Sequence, residues 1–171
     1  MANTDNPHGF WPCGSLDGGE SYVSVRTKLA AYGTAVGKFD PVTVAGTQNN
    51  IKRAVAATAS FGISLAYGAA STLTTHPVVV LTNQVICEAQ EDGTAGVDAE
   101  GLNCAFLAGA ANATTGISIY EVDSSEVATT STLDLKLLKV GPFVDNDGTL
   151  ANARWLVTFN NVTMGQKTVG V

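Results

Sequence analysis

Short segments in which apolar and polar residues alternate, separated by turn-forming residues, constrain the fold of this chain most. In residues 133–138 every second position is leucine, and residues 154–160 place three large apolar side chains on one side. A period of two is the pattern of a half-buried β-strand. About eight to ten such segments with frequent turns predict an all-β fold, a single compact β-barrel or β-sandwich over residues 21–171. The residues predicted to face the core here are Leu133, Leu135, Trp155, Val157 and Phe159, with Asp134 and Lys136 facing outward.

Other segments predict the connections between strands less completely. Residues 78–81 and 85–89 are separated by a few polar residues and predict a β-hairpin. Residues 51–59 suit either a helix or a strand, and residues 91–103 form an acidic connection that has room for one helical turn near Asp98. Residues 104–107 and 117–122 predict two more short strands, whereas the strand order within residues 30–75 stays open. In residues 22–29, one face carries Val23, Val25, Thr27 and Leu29, and the other carries Tyr22, Ser24, Arg26 and Lys28.

Residues 1–20 predict an extended N-terminal arm. Their glycines and prolines exclude a regular helix or a central strand. Two large aromatics, Phe10 and Trp11, lie inside this segment, and each could bury about 150–250 Å². They either pack back on the domain or anchor the arm on a neighbouring molecule. We expect the second, with Asn6, Pro7, Phe10, Trp11 and Pro12 forming the partner interface.

The charge of the chain argues against nucleic acid as a direct partner. The formal net charge is -6, and binding to phosphates requires a surplus of basic residues. No Lys or Arg occurs between Arg53 and Lys136, a stretch that holds nine acidic residues. Charged residues make up only 14% of the chain, against roughly 25% in typical soluble domains. Either partners or further copies of the chain cover part of the surface, or Ser, Thr, Asn and Gly solvate it.

Neither targeting signals nor reactive cysteines are apparent. The first residues lack a basic start followed by an apolar run, and no apolar stretch approaches the ~20 residues that span a bilayer. We therefore expect synthesis in the cytoplasm and no contact with a membrane. Cys13, Cys87 and Cys104 have no metal-ligand spacing, so reduced, partly buried thiols are the expected state.

A search for catalytic or cofactor motifs predicts no catalytic residue, no cofactor and no metal. Residues 33–39 resemble a phosphate-binding loop but have one residue too few between the glycines, and Phe39 stands where a hydroxyl is needed. The turn that starts at Asp145 resembles a calcium loop, yet Leu156 occupies the position of the bidentate Glu. No local motif pairs His8 or His76 with a cysteine, although the sequence leaves a pairing in space open, and nothing selects a catalytic pair among the acidic residues.

Several motifs, in order along most of the chain, resemble the structural cement proteins of tailed bacteriophages. Residues 30–75 match that family least. The N-terminal matches are Ala2-Asn3, Asn6-Pro7, Gly9-Phe10, Pro12 and Gly14. The central matches are Val85 to Asp92, Gly101-Leu102-Asn103, the loop at Gly116, Glu121 to Ser125 and Ala128 to Thr130. The C-terminal matches are Asn152 to Val157, Asn160-Asn161 and Gly170-Val171.

This resemblance implies a protein that decorates the capsid exterior of a virion and carries no catalytic residues. Its partner would be the major capsid protein, and it would bridge neighbouring copies of that protein as a small symmetric oligomer, a trimer in preference to a dimer. Two other classes stay open. One is a different virion part, such as a tail-associated or fibre-associated β module, and the other is a small carbohydrate-binding domain or hydrolase.

Overall fold

The computed structural model describes residues 2–164, apart from the side chains of residues 47 and 48, and these residues form two packed β-sheets. The predicted all-β fold is confirmed as a compact β-sandwich. The terminal Gly170-Val171 lies outside the described residues. The strands are β1 (Trp11–Ser15), β2 (Val23–Lys28), β3 (Pro41–Ala45), β4 (Thr47–Arg53), β5 (Gly62–Ser64), β6 (Thr74–Val80), β7 (Val85–Gln90), β8 (Asn103–Leu107), β9 (Glu121–Ala128), β10 (Leu135–Val140) and β11 (Arg154–Phe159).

The large sheet has six strands in the order β1-β7-β11-β10-β8-β9, and its ladders are antiparallel. Its central strand β11 places Trp155, Val157 and Phe159 in the core, all with no exposed surface. Leu135 of β10 is equally buried, as predicted, whereas Leu133 lies before that strand and is only half-buried.

Both edge strands of the large sheet are irregular. In β1 the register shifts between Pro12 and Gly14, so the strand bulges at Cys13. In β9 the register also shifts, because Cys104 of β8 pairs with Val127 whereas Phe106 pairs with Val122. Proline and bulges interrupt the row of backbone groups that an edge strand would otherwise offer to another chain.

The small sheet has five strands in the order β2-β4-β3-β5-β6. It curls so strongly that the last strand, β6, pairs with the first, β2. β2 has an antiparallel ladder with β6 along its whole length but meets β4 at a single parallel pair, Thr27 and Asn50. The contact between β2 and β4 is therefore much the weaker of the two. The buried apolar cluster inside the small sheet consists of Val36, Val42, Ile51, Phe61, Val78 and Val80.

Buried polar contacts join the two sheets. Asp134 is 2% exposed, and its carboxylate accepts hydrogen bonds from the Ala57 N–H at 2.9 and 3.1 Å and from the Asn161 amide at 3.1 Å. The hydroxyl of Tyr120 donates to the carbonyl of Ala54. Because Ala54 and Ala57 follow β4, these bonds attach the small sheet to the large one.

The structure corrects three local predictions and decides one that the sequence left open. Strands β6 and β7 do not form a hairpin: they belong to different sheets, because Leu81 enters the core and the Asn83 amide donates to Phe159 at 3.0 Å. Asp134 faces inward, since it is needed where the sheets join. Residues 51–59, which suited either a helix or a strand, are strand at 51–53 and then form a turn. The predicted strand over 117–122 instead begins at Glu121, and a single 3₁₀ turn, Val97–Ala99, confirms the predicted helical turn.

Candidate functional site

The predicted N-terminal arm lies on its own domain. The Asn3 amide donates to the carbonyls of Asp147 at 2.9 Å and Ala151 at 3.0 Å, and its oxygen accepts the Asp147 N–H at 2.9 Å. Gln90 accepts the Asn6 N–H at 2.8 Å and donates to the Thr4 carbonyl at 2.7 Å. Since β1 also belongs to the large sheet, the described part of the predicted arm, residues 2–20, is not detached from the domain.

Phe10 is a core residue, which corrects its assignment to a partner interface. It has no exposed surface, and its ring meets Phe159 edge-on at 5.0 Å and Phe106 at 6.0 Å. Gly9 allows the backbone to bring Phe10 into the core. It has a φ of 74°, and a Cβ there would approach the Phe39 carbonyl oxygen to 2.6 Å. Contact of Asn6, Pro7, Trp11 and Pro12 with a partner stays a prediction.

Strand β2 has its apolar face outward. Val25 is 64% exposed and Val23 is 48% exposed, and the neighbouring Tyr22 is 71% exposed. Val23 pairs with Val79, which is buried in the main core, so these valines continue the inter-sheet face beyond the part that the large sheet covers. We call Val23 and Val25 the β2 patch.

The polar face of β2 points into the small sheet. Lys28 has no exposed surface, and its ammonium donates to the carbonyls of Ala69 at 2.9 Å and Thr72 at 3.2 Å. The guanidinium of Arg26 lies 4.7 Å from the centre of the Phe61 ring. Shifting β2 by one residue would bury the valines but remove both cations from these contacts. The sequence revealed the alternation in β2 but not which face is exposed.

A cleft of about 590 Å³ lies between the N-terminal segment, strands β1, β7 and β11, and the loop after β10. Glu88 and Arg154 lie at its floor: Arg154 Nη1 is 3.5 Å from Glu88 Oε1, and its other nitrogen, Nη2, contacts Asp145. His8 Nε2 lies 3.7 Å from the same Glu88 oxygen. The carboxylates of Glu88 and Asp145 therefore both face the guanidinium of Arg154.

Trp11 forms an aromatic wall of this cleft. Its ring stacks on that of Phe39, with the ring centres 5.7 Å apart and the planes 12° from parallel. The Lys38 ammonium lies 4.9 Å from the centre of the Phe39 ring. Trp11 is still 53% exposed, so this stacked pair holds a large aromatic surface in contact with solvent. The sequence identified Trp11 but could not show that it lines a cleft.

The cysteines and histidines make other contacts than those of a nucleophilic pair. Burial raises the pKa of the thiols of Cys13, Cys87 and Cys104, and this favours their protonated form at neutral pH. The two ring nitrogens of His76 contact the hydroxyls of Ser64 and Thr74. All three thiols are free, as predicted.

The two motif-like loops have local structural roles. Asp40 accepts the Gly37 N–H at 2.7 Å, which closes the turn that resembles a phosphate-binding loop. Asp147 accepts the N–H of Thr149 at 2.9 Å in the turn that resembles a calcium loop. Among residues 2–164, no group of acidic, histidine or cysteine side chains is arranged to hold a metal ion.

Comparison with protein-family models and with curated proteins finds no match to this chain. Within the described part of the chain, no helix has the length and apolar character to cross a membrane.

Proposed function

We propose that this chain is a capsid decoration protein that binds the outer surface of a tailed-phage head and bridges neighbouring major capsid proteins. The sequence resemblance suggests the family, and the β2 patch is the structural observation that carries the proposal. Its valines keep an outward position because the opposite face of β2 is held by Lys28 and Arg26. We assign the patch to the contact with the capsid protein.

Burial of apolar side chains, repeated at each patch of an oligomer, would supply the binding energy. Fully covering a valine side chain contributes about 1.5–3 kcal/mol, so a single patch binds weakly once the cost of association is subtracted. A small symmetric oligomer, a trimer in preference to a dimer, presents several patches to neighbouring capsid subunits. Linked contacts of this kind raise the overall affinity by about 10²–10⁴. The shell would then resist the internal pressure of the genome.

The test is binding of a double variant, Val23→Ser with Val25→Ser, to phage heads that lack the protein. Both side chains are exposed, so we expect a folded protein whose binding to heads falls at least about tenfold, a loss of 1.4 kcal/mol per patch. Val144→Ser is the matched control, because Val144 is fully exposed at a distant loop. Unchanged binding of a folded double variant would remove the β2 patch from the proposal, and absence of binding by the unaltered chain would end it.

Another virion location is the main alternative. A labelled antibody against the chain, applied to negative-stained particles, distinguishes the head surface from the tail and fibres. The mass of the purified chain in solution, with and without a reductant, gives the oligomer number, and a chain that stays monomeric both alone and on heads contradicts the proposed bridging by an oligomer.

A further inference from the structure

We infer that the cleft beside Trp11 is a binding site for a neutral saccharide of one or two rings. This inference goes beyond the proposed function, because the cleft and the β2 patch involve different residues and can be altered separately.

The first argument is the aromatic wall. A flat aromatic surface binds the C–H face of a sugar ring well when it is held in place and partly desolvated. Stacking on Phe39 fixes the plane of Trp11, and Lys38 on the Phe39 ring supports that pair. The cost of ordering the tryptophan is thus met within the protein before any ligand arrives.

The second argument is the charge at the floor. Arg154 already contacts Glu88 and Asp145, and its guanidinium also lies 4.1 Å from the centre of the Phe143 ring. An anionic ligand would meet two carboxylates, and a cationic ligand would compete with Arg154 for them. A neutral ligand avoids both costs.

The third argument is the kind of polar group that the cleft offers. Glu88 Oε1 faces Arg154 and His8, which leaves Oε2 to accept a hydrogen bond from a sugar hydroxyl. A guanidinium has five N–H donors, more than the contacts of Arg154 with Glu88 and Asp145 use, so it can also donate to a ring hydroxyl. Glu88 and Arg154 keep 12% and 27% of their side chains exposed, so their outer atoms can reach a ligand. The volume of about 590 Å³ lies within the range of small-molecule sites, roughly 300–1,000 Å³.

The chain contains its own fluorescent probe and reference for the test. It has two tryptophans, of which Trp11 is 53% exposed and Trp155 has no exposed surface. We would titrate the protein with glucose, galactose, mannose, N-acetylglucosamine, maltose, cellobiose and lactose, up to about 10 mM, and follow the emission. A Kd near 1 mM corresponds to about 4 kcal/mol and would be measurable in this range. We expect at least one sugar to shift the emission of Trp11 to shorter wavelength while Trp155 stays unchanged.

Variants separate this site from the β2 patch. Trp11→Ala should weaken binding of that sugar, measured by calorimetry, at least about tenfold. Arg154→Lys should weaken it by a similar factor, because an ammonium has fewer N–H donors to share among Glu88, Asp145 and a sugar hydroxyl. Tyr22→Ala is the control: it removes an exposed aromatic outside the cleft and should leave sugar binding unchanged. If none of the seven sugars changes the emission, or if folded Trp11→Ala binds as tightly as the unaltered chain, the inference is wrong. Neither outcome affects the test of capsid binding.

Discussion

At the scale of single residues, Glu91 is the most unusual buried group. One carboxylate oxygen accepts the Trp155 indole N–H at 3.0 Å and the Ala95 N–H at 2.9 Å, while the other, Oε1, is buried without a hydrogen-bond partner among the described residues. Burial raises the pKa of Glu91 above its usual value. Its proton is therefore held more tightly in the folded state than in the unfolded state, and its contribution to stability falls as the pH rises above about 4.5.

We expect Glu91→Gln to be more stable than the unaltered protein at pH 7, by about 1 kcal/mol, because it keeps an acceptor for Trp155 without a buried charge. The difference should shrink near pH 4.5, where the carboxyl is about half protonated in the unfolded state and more so in the folded state. Glu91→Ala should instead lose about 1–3 kcal/mol, since the indole N–H is left unpaired. Urea unfolding at both pH values measures these effects, with the exposed Glu126→Gln as control. If the stability gained by Glu91→Gln over the unaltered chain is smaller at pH 7 than at pH 4.5, this account is wrong.

His76 predicts a pH effect of opposite sign. Ser64 donates its hydroxyl to the Ala66 carbonyl, so His76 Nδ1 donates to Ser64 and Nε2 accepts from Thr74, which satisfies the neutral ring. Burial, with the nearby Lys28 charge, lowers the pKa of His76. The unfolded state protonates first, so stability is lost as the pH falls below about 6.5, at up to about 1.4 kcal/mol per pH unit.

The measurement for His76 is the free energy of unfolding between pH 7 and pH 5. We expect this slope to be reduced in His76→Asn and kept in His8→Asn, the other histidine of the chain. If His76→Asn does not fold, ring resonances of the unaltered protein followed by NMR over the same range report whether His76 stays neutral. A ring that protonates near pH 6.5 in the folded protein is the result that would refute the prediction.

At the scale of elements, the sequence predicted the positions of strands well but their pairing partners and their exposed faces poorly. Alternation located β10 and β11 because it depends on local order alone. The outward face of β2 depends on β6, some fifty positions later in the chain, and no local pattern shows which side meets a second layer. For the same reason the short connection at 81–84 suggested a hairpin, although it crosses between sheets. The burial of Phe10 likewise required a core formed by distant strands.

The N-terminal segment gives a prediction at this scale. Hydrogen bonds from Asn3 and Gln90 hold it, and those of Asn3 do not involve Gln90, so we expect Gln90→Ala to release residues 4–8 while Asn3 and the sheets keep their places. Hydrogen exchange at the Asn6 amide should accelerate at least about tenfold, and proteolysis near residue 5 should increase. Asn112→Ala, which removes a side-chain bond in a distant turn, is the control. Unchanged protection at Asn6 would mean that other contacts hold the segment.

At the scale of the whole molecule, the fold class followed from the sequence, whereas the candidate sites did not. Trp11 was identified as a large aromatic in an irregular segment, but the cleft that it lines is built from β1, β7, β11 and two loops. The β2 patch required knowledge of how far the large sheet covers the small one. The low charge, 14% of residues, fitted covered surfaces as well as solvation by Ser, Thr, Asn and Gly, and it located no surface.

The irregular edge strands of the large sheet affect how the protein assembles when many copies are close together. A strand with regular, unblocked backbone groups can recruit the next molecule, which then offers the same template again, and fibrils result. Pro12 with the bulge in β1, and the broken register of β9, deny that template at either end of the sheet. Many copies can therefore crowd together and still stop at a finite assembly, because they are left to join through side chains rather than through one endless sheet.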